Sequence, residues 1–186
     1  QSWLDERVRV LNNGDARHHG PAVWWNEGSL IRRGLGESKR LVVMRTSPFF
    51  DAYQLLGSAK VFYTSLEHAN AITLVDEASE KVKLALAHGK DDMGVTLSEN
   101  MVKFGRYIEQ ELHLLRGMCE MAICDYATSQ RTLEEALTIS QALFGSDYHP
   151  GHFEVEMGLV TCLVYMGEHE RATKRLEQLL SAQEDY

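Results

Sequence analysis

The region from Leu133 to Leu180 constrains the fold of this 186-residue chain more than any other. An amphipathic helical pattern ends at Ala142-Leu143-Phe144-Gly145, and a polar turn closes at His149-Pro150. Two further helical segments then meet at Met166-Gly167-Glu168-His169. Because short turns between amphipathic helices favour antiparallel neighbours, this succession predicts helices packed in pairs and no sheet.

Residues 110–152 and 153–180 can be aligned with each other by their small residues. Three apolar residues of one segment match three of the next at an offset of 43 residues: Leu133, Ala136 and Leu137 match Leu176, Leu179 and Leu180. Self-similarity at a fixed period is the sequence sign of a helical repeat. We therefore expect Gly117 and Ala172 to lie where two helices cross closely.

These residues resemble the tetratricopeptide repeat. The turn Gly167-Glu168-His169 fits its pattern, and the longer link with Phe144-Gly145 and His149-Pro150 is similar to the extended repeats of the kinesin light chain type. Cys124 stands where that pattern has its turn glycine. The resemblance covers residues 110–180 and is weaker over 50–90. It implies an all-α fold in which antiparallel helix pairs stack as a short α-solenoid; a generic helical bundle is the alternative.

Residues 48–186 are predicted to form the helical domain. Ser47-Pro48 suits a helix start, Gly89 a helix end, and Thr96 with Glu99 has capping-box spacing. The predicted helices begin near 48 and then cover 69–87, 96–124, 126–143, 150–166 and 168–183.

Residues 1–47 are predicted to be an irregular arm. They contain all three tryptophans, Trp3, Trp24 and Trp25, and glycine recurs at 28, 34 and 36. Large aromatic rings favour interfaces. We expect the arm to pack on the helices or on another protein.

Composition excludes several classes of partner. The formal net charge of -8 argues against nucleic acid and anionic membrane surfaces. The sequence has no apolar run of the roughly 20 residues that span a membrane. Three cysteines, an odd number, favour buried, reduced thiols in an intracellular, reducing compartment. Mitochondrial and cytoplasmic locations both stay open, and the start at Gln1 fits either a trimmed or a processed N-terminus.

Candidate chemistry is weak, and we expect no enzyme, metal or cofactor site. Gly34-Leu35-Gly36 lacks the other residues of a phosphate loop. Cys119 and Cys124 with His113 fall short of a zinc site, and His149 and His152 suit a structural role at a turn. A small enzyme that uses the loop of His18 and His19 is the outside alternative.

The resemblance implies that the first helix of each pair lines a concave groove. The corresponding residues are Glu111, Leu114, Met118 and Met121, followed by Glu154, Met157, Thr161, Val164 and Tyr165. This surface is apolar and lacks the Lys/Arg/Asn set that binds a peptide's terminal carboxylate in the chaperone-binding members of the family. The methionines fit an adaptable groove or a core equally well.

The predicted function is therefore a non-enzymatic module for protein–protein interaction. We expect a scaffold subunit of a larger multiprotein assembly, with other subunits as its partners. The alternative is a free adaptor whose groove binds an amphipathic peptide or helix.

Overall fold

A computed structural model of the chain describes residues 49–90, 94, 96–145 and 150–184. This part of the chain has no strand and only an isolated bridge between Lys90 and Thr96. The prediction of an all-α fold is thus confirmed. The described helices are α1 (Phe50–Thr64), α2 (His68–His88), α3 (Glu99–Ala122), α4 (Tyr126–Phe144), α5 (Pro150–Tyr165) and α6 (His169–Glu184).

The helices stack as three consecutive pairs. Each helix packs against the next one along the chain, and α3 also packs against both α1 and α5. The odd-numbered helices therefore form one row, as the first helices of a repeat array do. This arrangement confirms the short α-solenoid.

The turns inside the three pairs share one geometry. Leu66, Cys124 and Gly167 all have left-handed backbone, with φ of 63°, 66° and 79°. In each turn the next amide donates to the carbonyl five residues back, at 2.9 Å: Glu67 to Phe62, Asp125 to Glu120 and Glu168 to Leu163. This hydrogen bond terminates a helix on a left-handed residue. Cys124 thus occupies the turn-glycine position, as its alignment with Gly167 predicted.

Small residues lie at the helix crossings, as expected. Leu133 of α4 packs onto Gly117 of α3, and the buried Ser129 hydroxyl donates to the Gly117 carbonyl at 2.8 Å. Ala172 is buried between α5 and α6. Close approach of the paired helices therefore depends on these positions.

His152 has the structural role expected of it. Its Nε2 lies 3.2 Å from the Gly145 carbonyl, and its Nδ1 lies 2.7 Å from the Ser140 hydroxyl. A carbonyl only accepts, so in the neutral ring Nε2 carries the proton and Nδ1 accepts from Ser140. The imidazole therefore connects the end of α4 to the start of α5.

One predicted helix start needs correction. The side chain of Ser98, not that of Thr96, caps α3 by accepting from the Met101 amide at 3.3 Å. Thr96 pairs with Lys90 in the bridge that precedes the helix. Gly89 ends α2 with φ of 63°, as predicted. The Ser47-Pro48 start and the arm lie outside the described residues, so the domain boundary stays a prediction.

Candidate protein-binding groove

A groove of about 480 Å³ runs across the odd-numbered helices. Its floor is mainly apolar, and it opens to solvent. The lining comes from α1, α3 and α5: Lys60, Tyr63, Thr64, Glu111, Leu114, Leu115, Met118, Phe153, Glu154, Met157, Gly158 and Thr161.

Helical spacing explains why these side chains share one surface. The α3 residues follow one another at i, i+3, i+4 and i+7 from Glu111, and the α5 residues repeat the same spacing from Glu154. Such positions lie on one face of a helix. Because α3 lies between α1 and α5, the three faces form one continuous surface.

Charges line the groove without making it basic. Lys60 Nζ lies 2.7 Å from Glu111 Oε2, which links α1 to α3. Glu154 is exposed and forms no ion pair with any residue that the structure describes. Burial, and secondarily the nearby Cys119, raises the pKa of the Tyr63 phenol, so this ring stays neutral. The groove therefore offers an apolar floor with a weakly acidic rim.

Four predicted binding residues lie together in this groove. Leu114 and Met118 of α3 face Met157 and Thr161 of α5, and all four are half-buried. The Thr161 hydroxyl donates to the Met157 carbonyl at 2.8 Å, which satisfies it within its own helix. Whether these side chains contact a partner stays a prediction.

The other three described candidates lie elsewhere. Met121 is only 8% exposed and packs in the core between α3, α4 and α5, so it is not available at the surface. Val164 and Tyr165 are exposed near the end of α5, outside the groove lining. The Tyr165 ring stacks on Tyr126 at 5.4 Å between centroids. Trp3, Trp24 and Trp25 lie outside the described residues, as do His18 and His19.

Sequence reasoning missed the contribution of α1 and the ring of Phe153. Lys60, Tyr63 and Thr64 do not match α3 at the 43-residue offset, because the first pair is spaced irregularly. Phe153 is 43% exposed and adjoins Glu154, which the alignment did identify. An aromatic residue beside an aligned groove position is the signal that could have revealed it.

A second, polar pocket of about 380 Å³ lies among α2, α3 and α4. Arg116 pairs there with Asp76, and its Nε donates to Glu120 Oε1 at 2.8 Å. The other Glu120 oxygen accepts from the Thr132 hydroxyl at 2.7 Å. These charges satisfy one another, so the network connects three helices.

The thiols differ in exposure. Cys119 and Cys162 are buried, and all three cysteines are free. Burial, with a smaller effect of Glu120, raises the pKa of Cys119 to about 11. Cys124 is exposed, so the expectation that all three thiols are buried is wrong. Its left-handed turn lies beyond the last residue of α3 and carries the side chain away from the core.

The described residues show the features of neither a metal site nor a membrane-spanning helix. Among the described residues, no group of three or more His, Cys, Asp or Glu side chains could hold a metal ion. None of the described helices is long and apolar enough to cross a membrane.

Comparison with known proteins agrees with this geometry. Residues 109–185 match the family model described as the tetratricopeptide repeat. No curated protein and no solved structure is significantly similar to the chain. The match begins within α3 and extends through α6, so it includes most of the two helix pairs related by the 43-residue offset. Residues 109–185 are therefore similar to the tetratricopeptide repeat, and the helices that they form are consistent with a repeat of this type.

Proposed function

We propose that this protein is a non-enzymatic protein-interaction module whose groove holds an apolar segment of a partner protein, and that it is a scaffold subunit of a larger assembly. The repeat family supports protein–protein interaction in general. The observation that carries the specific proposal is the apolar groove across α1, α3 and α5.

The lining favours one type of ligand. Lys60 is the only basic residue among the described residues that line the groove, and its charge is neutralised by the ion pair with Glu111. A peptide with a free carboxylate would therefore find little charge to pair with. Met118 and Met157 are flexible and polarisable, so they adapt to varied apolar side chains. An amphipathic helix with an apolar stripe and a flanking basic residue suits this surface best.

The experiment begins with purification of the protein from its native source and identification of co-purifying proteins by mass spectrometry. Two variants of the full chain are then prepared, Phe153→Ser and Glu154→Lys, and each changes one side chain of the groove. Both side chains are exposed, so the fold should persist. We expect either variant to weaken binding of the identified partner.

Val61→Ser is the matched control. Val61 is 64% exposed on α1 and is not part of the groove lining. Retention of the partner by both groove variants would refute the groove proposal. Equal loss with Val61→Ser would show that the effect is not specific to the groove.

The alternative is a free adaptor, and solution behaviour distinguishes the two. An adaptor should be monodisperse when purified alone, whereas an assembly subunit should aggregate or lose its first residues to protease. We also propose that the protein is located in a reducing compartment, either the mitochondrion or the cytoplasm. Cell fractionation with the full chain tests it.

A further inference from the structure

The charge of this chain is divided unequally between the arm and the helices. Residues 1–47 contain eight basic and five acidic residues, which gives the arm a net charge of +3. The whole chain carries -8, so residues 48–186 carry -11. Because opposite charges attract, the helical array attracts the arm of its own chain.

One segment of the arm has the chemistry that complements the groove. Residues 39–45 place four consecutive apolar residues between basic ones: Lys39-Arg40-Leu41-Val42-Val43-Met44-Arg45. The groove offers an apolar floor that includes Leu114 and Met118, and the exposed Glu154 at its rim forms no ion pair with any residue that the structure describes. The apolar residues of the segment match the floor, and its basic residues match the rim.

The position of this segment in the chain lets it reach the groove. Lys60 and Thr64 lie about 16 and 22 Å along α1 from Phe49, at about 1.5 Å per residue. An extended chain spans at most about 3.5 Å per residue, so Val43 and Leu41 reach about 21 and 28 Å from Phe49. The apolar residues of the segment therefore extend to the groove without any movement of α1.

The surface of α1 leaves room for a chain that returns along it. Gly57 shares a helical stripe with Lys60 and Thr64, at i, i+3 and i+7. Gly57 is exposed, and a Cβ atom placed on it would meet nothing within 4 Å. The path from the start of α1 to the groove is therefore open at this residue.

We propose that residues 39–45 occupy the groove of their own chain and compete there with a partner. A segment of the same chain acts at an effective concentration of about 1 mM, whereas a partner must reach the groove from solution. The chain's own segment is therefore the occupant when no partner is bound. The competition rests on the function proposed for the groove, whereas the occupancy does not depend on it.

Disulfide cross-linking of the full chain tests the occupancy without a partner. Each variant carries Cys124→Ser, which removes the exposed native thiol. Val42→Cys is combined either with Thr64→Cys in the groove or with Leu84→Cys on α2, where the side chain is 56% exposed and outside the groove lining. The two thiols release two protons and two electrons, which reduce oxidised glutathione to two glutathione thiols. Mass spectrometry identifies the linked residues.

The pair with Leu84→Cys is a stringent control. Because α2 runs antiparallel to α1, Leu84 lies closer than Thr64 to the start of α1 and within easier reach of a segment that binds nowhere. We expect the Thr64 pair to form the bond within one chain at least about tenfold faster, because binding in the groove raises the local concentration of the two thiols. Equal rates for the two pairs, or a bond between two chains, would overturn the proposal.

Substitutions in the arm test which segment binds. Leu41→Asp together with Val43→Asp should abolish the faster cross-linking, because this change removes two apolar side chains and adds charge of the same sign as Glu154. Val8→Asp together with Val10→Asp makes the same change elsewhere in the arm and should preserve it. An equal effect of the two double variants would overturn the assignment to this segment. Circular dichroism verifies the helices of every variant.

The partner identified by co-purification tests the competition separately. The variant with Leu41→Asp and Val43→Asp should bind this partner at least about threefold more tightly than the native chain, because its groove is free. Equal affinity would overturn the competition. Retention of the partner by Phe153→Ser and Glu154→Lys, together with faster cross-linking at Thr64, would refute the function proposed for the groove and the competition, while confirming the occupancy.

Discussion

A Cβ atom on Gly117 would stand 2.6 Å from Cγ of Leu133, closer than two carbon atoms pack. The crossing of α3 and α4 therefore requires glycine at this position. Leu133 also lies 3.3 Å from the position of a Cβ on Gly158 of α5. One leucine thus packs against glycines of two helices, which brings α3, α4 and α5 together behind the groove.

Gly117→Ala should destabilise the protein by about 1–2 kcal/mol. Overpacking costs about 1–3 kcal/mol, and the better helix propensity of alanine offsets up to about 1 kcal/mol. Gly57→Ala is the control, because a Cβ there would meet nothing within 4 Å in α1. That change should raise stability in urea unfolding. Equal effects of the two substitutions would contradict the close crossing.

Cys124→Gly should stabilise the protein by about 1 kcal/mol. A left-handed backbone is unfavourable for residues with a Cβ and favourable for glycine, and Cys124 has φ of 66°. Gly167→Ala should have the opposite effect of similar size. Cys124→Ser keeps the Cβ and should change little in thermal unfolding. A stabilising effect of Ser equal to that of Gly would indicate that the thiol, not the backbone, is unfavourable.

Alkylation of the native protein should modify Cys124 and leave the other two thiols protected. Cys119 and Cys162 are buried, and the raised pKa of Cys119, about 11, keeps it protonated at neutral pH. Mass spectrometry after brief iodoacetamide treatment checks the sites. Cys124→Ser should abolish native labelling, whereas unfolding should expose both remaining thiols. Rapid native labelling of Cys119 would be inconsistent with its burial.

Protonation of His113 should lower the free energy of unfolding as pH falls below about 6.5. Burial lowers its pKa, and this effect outweighs the nearby carboxylate of Glu135. The unfolded chain therefore takes up a proton at this residue before the native state does. The stability that neutral His113 contributes is complete above the unfolded pKa and is lost as pH falls through the native one.

His113→Gln tests this contribution. The free energy of unfolding between pH 7.5 and pH 5 should fall less steeply in the variant than in the native protein, measured in urea. The other histidines are unchanged, so the difference between the two slopes isolates His113. Coincident slopes would show that this residue titrates alike in both states.

The sequence determined the helices, their pairing and the positions of their turns. Helical periodicity and turn chemistry depend only on residues that are close in sequence. The helix end at Phe144-Gly145 and the turn at Gly167 could therefore be predicted without the tertiary structure. The alignment of small residues in the repeat further identified Gly117 and Ala172 as crossing positions, and the 43-residue offset brought Leu114, Met118, Met157 and Thr161 to one surface. Helix starts were less certain, because Thr96 and Ser98 are both good caps and a local pattern does not choose between them.

Only the tertiary structure decided which parts of each apolar stripe are covered. Met121 and Val164 are equivalent in sequence, yet one is in the core and the other is exposed. Burial depends on whether another helix packs there, and α5 does so only for the earlier pair. The contribution of α1 to the groove likewise comes from its packing against α3. A repeat fixes what each residue can contact, whereas the neighbouring helices determine what it does contact.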